Sequence, residues 1–258
     1  MSREQERRKQ QLLTYGVPAV VLAVFAAFVF HEGVQLWTLT HLFPDESSHL
    51  YDRTGLPRLL VEHLVLVGVS SVAATVVGIA IGVFVTRPPG RDFLSVAKDL
   101  SALAQTFPPV AVLALAVPAF GFGFEPTVVA LFIYSILPVL NNTISGMEGI
   151  PRHLTDASRG IGMTRLQILF LSEFPLAARV IAAGVRTSVI INVGTATVGA
   201  IIGAGGLGVV IIGGLVRDNV AFVFSGAITA ALLALIIDWL FSRLQTLFFS
   251  PRAREEGP

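Results

Sequence analysis

The chain has 258 residues, of which 53% are apolar and 14% charged, with a mean hydropathy of +0.75 and a formal net charge of +1. Soluble domains carry about 25% charged residues, so this composition indicates an integral membrane protein, and the near-neutral balance gives no ground for nucleic-acid binding. The absence of cysteine excludes disulfides, thiolate metal sites and cysteine nucleophiles, and His31, His41, His49, His63 and His153 show no metal-ligand spacing.

The N-terminus reads Arg3, Arg7, Arg8, Lys9 and then an apolar run from Leu12 to Phe30. A span needs about 17–25 residues, and His31-Glu32-Gly33-Val34 makes a poor small-residue cleavage site, so the run is read as a retained first span rather than a signal peptide. Five further apolar runs follow, and the six expected spans are 12–30, 59–86, 95–119, 126–145, 178–203 and 219–243. Hydrophilic stretches separate them at 31–58, 87–94, 120–125, 146–177 and 204–218.

Six spans place both termini on one side, and Lys and Arg decide which. Arg3, Arg7, Arg8, Lys9, Arg87, Arg91, Lys98, Arg152, Arg159, Arg165, Arg243, Arg252 and Arg254 fall on one face; only Arg53, Arg58 and Arg217 fall on the other. Both termini and segment 146–177 are therefore expected in the cytoplasm. Gly78-x3-Gly82 and Gly199-x3-Gly203 fit the small-residue spacing that lets helix backbones approach, and Pro108, Pro109, Pro118 and Pro138 are expected to kink or end helices.

Segment 146–177 has a structure of its own. Pro151 suits a first helical turn; Leu154 and Ala157 then lie on one side, and Arg152, Asp156 and Arg159 toward the other. Gly160 and Gly162 punctuate the end. Thr164 and Gln167 form a capping box, and a second helix carrying Leu166, Leu169 and Phe170 is expected to stop before Pro175. The unit is a helix, a glycine hinge and a second helix over 151–174, suited to a groove on a partner protein; an interfacial helix on lipid is the alternative.

Asp156-Ala157-Ser158, Gly162 and Pro175 resemble, in spacing, the EAA loop of ABC-importer permeases. Asp156 stands for the usual Glu, Ser158 for the second Ala, Ser172 for Ile and Phe174 for Leu. The similarity extends over about 59–245. Glu62-His-Leu-Val-Leu-Val67, Gln105-Thr-Phe-Pro-Pro109, Leu137-Pro138 with Asn142-Thr143, Arg159-Gly-Ile-Gly-Met-Thr164 and Val193-Gly-Thr-Ala-Thr197 running into Gly203-Ala-Gly-Gly-Leu-Gly208 are similar to osmoprotectant-importer permeases. Methionine and phosphonate importers share the glycine-rich ending, so those cargoes stay open.

The resemblance implies an all-α, type I (MetI-like) permease fold in a bacterial or archaeal cytoplasmic membrane. It divides the chain into an N-terminal span and outer loop (1–58), a permease domain (59–245) and a cytoplasmic tail (246–258). It implies that Asp156, Ala157, Ser158, Arg159, Gly160, Gly162, Met163 and Pro175 dock on an ATP-binding subunit. A second permease chain, identical or related, and an extracytoplasmic solute-binding protein are the other implied partners, with glycine betaine, choline or carnitine as cargo.

The remaining residues are read individually. Gly203-x-Gly205-x-x-Gly208 lacks the strand and downstream acid of a dinucleotide site, and no Gly-x4-Gly-Lys-Ser/Thr sequence occurs, so no cofactor is expected and ATP would be bound by the partner. Asn192, Thr195 and Thr197 interrupt an apolar span and are candidates either for the translocation path or for interhelical bonds. Glu62 and His63 are expected to be solvated, Asp99 to pair with Lys98, Arg186 to snorkel or gate, and Asp238 to reach Arg243 or another helix. No pair of residues suggests catalysis. The acids lie at span ends, which disfavours a proton-coupled carrier; an intramembrane enzyme or a passive channel leaves the hairpin without a purpose.

Overall fold

The computed structural model describes residues 16–249, all helix and connecting turns with no strand among them. Arg3, Arg7, Arg8, Lys9, Arg252, Arg254, the first residues of the 12–30 span and most of the 246–258 tail lie outside the described residues. We number the helices α1 (Val17–Phe30), α2 (Glu32–Leu42), α3 (Leu56–Val85), α4 (Leu94–Ala104), α5 (Pro109–Phe120), α6 (Phe124–Glu148), α7 (Arg152–Gly160), α8 (Arg165–Ala196), α9 (Gly208–Arg217) and α10 (Val220–Phe249).

Helices α3, α6, α8 and α10 are each long and apolar enough to cross a bilayer, and the count reaches six if two bent pairs are each one span. The expected continuous span 95–119 is broken: Arg91–Ala104 and α5 meet at 101°. Pro108 and Pro109 withhold two consecutive N–H donors, and Pro108, itself followed by a proline, is extended (φ −65°, ψ 138°). Likewise α1 and α2 meet at 97°, at His31, which is extended (φ −117°, ψ 100°). The stretches expected as hydrophilic connections at 31–58 and 204–218 thus contain helices α2 and α9.

The bundle centre is α3 and α8 packed on α6. A Cβ on Gly82 would meet Thr143 Cβ at 2.6 Å, one on Gly78 would meet Val139 at 3.0 Å, and one on Gly184 would meet Asn142 Cβ at 2.5 Å. These contacts are the close backbone approach that small residues permit. Pro138 lies inside α6 without breaking it, and Asn142 Nδ2 donates to the Pro138 carbonyl at 2.9 Å. Buried apolar side chains such as Leu66, Leu131, Val193, Leu207 and Phe222 form the main core.

Polarity is inverted relative to a soluble domain. His63, Ser70, Ser135, Ser188, Asn192 and Thr229 are wholly enclosed, while Val72, Val76, Leu115 and Leu215 face outward. Outward apolar and inward hydrogen-bonded polar side chains are what a hydrocarbon solvent demands.

Candidate functional site: the hairpin and its attachment

Pro151 is extended (φ −61°, ψ 132°) and starts α7. The helix ends in a Schellman closure: Met163 N–H reaches Ser158 O (3.1 Å), Gly162 N–H reaches Arg159 O (2.9 Å), and Gly162 takes φ +84°, the left-handed position that glycine fills without strain. Thr164 then caps α8. Its N–H donates to Gln167 Oε1 (2.8 Å) and its hydroxyl accepts from Gln167 N–H (3.4 Å), so the box read from the sequence is present.

Two expectations about this unit are corrected. The second helix does not stop before Pro175: α8 runs unbroken from Arg165 to Ala196. A π segment over Ile168–Glu173 widens the turn immediately before the proline, where an ordinary helix would drive the ring into the Leu171 carbonyl. The inward face of α7 is also set by other residues. Ser158 is buried and Leu154 half-buried, whereas Ala157 is exposed. Ser158 Oγ donates to Leu154 O (2.9 Å) and lies 3.4 Å from Ser172 Oγ, so the hydroxyl stitches α7 to α8.

Asp156, Arg159 and Gly160 are exposed on α7, with Asp156 paired to Arg159 at 3.3 Å; Met163 is half-buried and Pro175 exposed. The rim carries four bare apolar side chains: Ile161 (80% exposed), Leu166 (68%), Phe170 (62%) and Leu171 (68%). Behind the hairpin lies a cavity of about 570 Å³, lined by Arg87, Arg91, Arg152, Asp156, Arg159 and Glu173 among others. Arg87, just past α3, donates to the Glu173 carboxylate, and Lys98 pairs with Glu148 at 2.8 Å instead of with Asp99 beside it. Sequence reasoning missed both links; a charged Glu173 inside the apolar run 168–174 was the signal available.

At the other end of the bundle, Asn192 is fully buried and donates to Ser70 Oγ (3.0 Å) and Ser71 Oγ (2.9 Å). It joins α8 to α3 and presents no surface to a path in this conformation. Thr195 and Thr197 are half-buried, and the Thr197 hydroxyl is turned back to Gly194 O (2.7 Å). The three residues are thus not brought together. His63 is not solvated but wholly enclosed. Thr197 N–H bonds Gly194 O, which leaves the Val193 carbonyl free to accept from His63 Nε2 (3.0 Å). Glu62 accepts from Gly206 N–H (3.2 Å) and pairs with Arg58 (3.3 Å). Asp238 reaches Arg186 on α8 at 2.7 Å.

The arrangement can transmit displacement: a polar hairpin with an apolar rim is fixed to one end of a rod that crosses the bundle. The described residues hold no group of three or more metal-ligating side chains.

Residues 74–250 match the family described as the binding-protein-dependent transport system inner membrane component. The osmoprotectant import permease protein OsmW of Salmonella typhimurium is 36% identical over 209 residues, 79% of this chain and 96% of that protein. The glycine betaine/carnitine/choline transport system permease protein OpuCB of Bacillus subtilis is 38% identical over 181 residues, 70% of this chain and 82% of the relative. Among solved structures, an inward-facing conformation of the MetNI methionine ABC transporter aligns with TM-score 0.67 at 23% identity, covering 75% of this chain and 95% of that one.

Proposed function

The chain belongs to the binding-protein-dependent transport system inner membrane components, and from that premise we propose that it is the permease subunit of an ATP-driven importer of osmoprotectants such as glycine betaine, choline or carnitine. It is a transport subunit rather than an enzyme. The relatives that carry these cargoes in their names match most of the chain, and the methionine importer shares only the fold with it.

In this reading both termini and the hairpin face the cytoplasm, and a separate ATP-binding subunit grips Asp156, Ala157, Ser158, Arg159, Gly160, Gly162 and Met163. Pro175 and the π segment before it carry the grip into the span. A second permease chain completes the path, and an extracytoplasmic solute-binding protein delivers the cargo. ATP is bound by the partner, and no cofactor by this chain. The carrying observation is the continuity of α8 from the hairpin to Ala196: displacement of the hairpin must displace the span. ATP-driven closure of the partner pair then tilts α8 and the helices packed on it, alternating access.

The test is reconstitution of the full complex with Asp156→Arg or Gly162→Pro in this chain. Loss of ATPase copurification and of ATP-dependent uptake is expected. Unchanged uptake, or full uptake with no nucleotide-consuming partner, overturns the reading.

A further inference from the structure

A second cavity, of about 250 Å³, lies at the end of the bundle away from the hairpin. Its walls come from three places: Tyr51 and Arg53 of the segment before α3, Ala200 of the 3-10 turn after α8, and one face of α9 with Val209, Ile212, Gly213, Val216 and Arg217. Drug-sized ligands occupy about 300–1,000 Å³, so this volume suits a solute of few heavy atoms.

The Tyr51 ring rests on Gly213, where an added Cβ would stand 2.8 Å from Cε2, and meets Phe222 edge-on with centroids 5.6 Å apart. The Arg217 guanidinium lies 5.6 Å from the Tyr51 centroid and 5.7 Å from that of Phe222. One of its N–H groups goes to Asp52 Oδ1 at 3.2 Å, out of the five a guanidinium carries. Arg53 lines the same cavity and forms no ion pair among the described residues. The lining therefore contains two guanidiniums, one aromatic ring and an apolar wall, and no carboxylate. Arginine matches a carboxylate in planar geometry, while an aromatic face and apolar wall suit a methylated ammonium. A solute with a cationic head and no anionic group meets two like charges.

We propose that this cavity is an acceptor site selecting zwitterionic over purely cationic quaternary ammonium solutes. Arg53 and Arg217 take the solute carboxylate, and Tyr51 with Val209, Ile212 and Val216 takes the methylated head. Asp52 holds Arg217 until the solute carboxylate replaces it. The inference rests on the import role and orientation proposed above, and adds a discrimination made by this chain rather than by the delivering protein.

The experiment uses the complete complex in proteoliposomes with one solute-binding protein whose affinities for glycine betaine and choline are measured separately. Arg53→Gln and Arg217→Gln are expected to lower kcat/KM for glycine betaine uptake at least tenfold and for choline less than threefold, and Arg217→Lys to recover part of the loss. Asp52→Asn is expected to lower KM for glycine betaine and not for choline. Equal losses for both solutes, or none for either, overturn the site. Should the unaltered complex carry neither solute, the osmoprotectant reading falls and this inference with it; a complex that carries both with the ratio unmoved by Arg53→Gln or Arg217→Gln refutes the cavity alone.

Discussion

Arg87 and Glu173 form an ion pair that binds the end of α3 to the π segment of α8, across 86 positions of sequence. The Glu173 side chain keeps 9% of its exposure and that of Arg87 28%. Removing one partner of such a pair strands the other charge in a poorly hydrated place, at a cost of about 3 kcal/mol. Glu173→Gln is expected to lower the melting temperature of the purified chain. In the reconstituted complex it is also expected to raise the ATP consumed per solute carried, because the hairpin then moves without taking α3 with it. A lower melting temperature with an unchanged stoichiometry would confine the pair to folding.

The pair Arg186–Asp238, at 2.7 Å, links α8 to α10 in the same manner within the spans. Both side chains are partly enclosed, at 29% and 39% exposure, and a charge in a span without a counter-charge is costly. Asp238→Asn and Arg186→Gln are each expected to reduce uptake more than tenfold. The exchange Arg186→Asp with Asp238→Arg is expected to recover a substantial part of it. Failure of the exchange to recover anything, with the protein correctly inserted, would show that position and not pairing matters.

Gly184 sits where α8 crosses α6, and a Cβ there would lie 2.5 Å from Asn142 Cβ and 2.7 Å from Pro138 O. Backbone cannot yield as a flexible side chain can, so Gly184→Val is expected to destabilise by the 1–3 kcal/mol typical of overpacking, about, or more. Gly68, with nothing within 4 Å of its added Cβ, is the control: Gly68→Ala is expected to leave thermal unfolding in mild detergent unchanged.

How much of this was legible in the sequence follows from the range of each interaction. Four of the six expected spans (59–86, 126–145, 178–203 and 219–243), the Pro151 start, the Gly162 closure and the Thr164–Gln167 box are local signals, and each is present. The bend at Pro108–Pro109 was half legible: the prolines announce a kink, but its 101° depends on what α5 packs against. Passage of α8 through Pro175 was hidden, because the residues Ile168–Glu173 carry no pattern that distinguishes a π turn from an α turn. The enclosure of His63 was hidden too. Its partner is the Val193 carbonyl, 130 positions away, freed by a helix ending that no side chain advertises.

Asp52 gives a pH expectation. The hydrogen bond from the Arg217 guanidinium, with the attraction of Arg217 and Arg53, holds its carboxyl below the ordinary 3.8. A folded-state value below the unfolded one means that the pair's contribution is complete above 3.8 and is lost only as pH falls through the lower folded value. The carboxyl is largely exposed to solvent, where salt screens the pair and its contribution is small. Asp52→Asn is therefore expected to leave the melting temperature unchanged from pH 5 to 8, and any effect on uptake over that range belongs to the solute and not to the fold. A melting-temperature drop of several degrees at pH 7 would show a structural role.

The apolar rim of the hairpin separates docking from folding. Ile161, Leu166 and Phe170 are bare, at 80%, 68% and 62% exposure, so none of them holds the hairpin together; that is done by Ser158 with Ser172 and by the Thr164 cap. Apolar anchors that enter a partner's pocket dominate binding energies, with truncations of about 2 kcal/mol or more at the best-packed positions. Ile161→Ser and Phe170→Ser are therefore expected to leave the melting temperature of the isolated chain unchanged, and to weaken retention of the ATP-binding subunit about 30-fold each, as 2 kcal/mol implies. Thr164→Ala is expected to behave oppositely: about 1 kcal/mol of lost cap, visible as faster proteolysis of the 151–174 segment in the isolated chain. If the serine variants lower chain stability while the subunit stays bound, the rim rests on lipid and the partner grips the polar face of α7 alone.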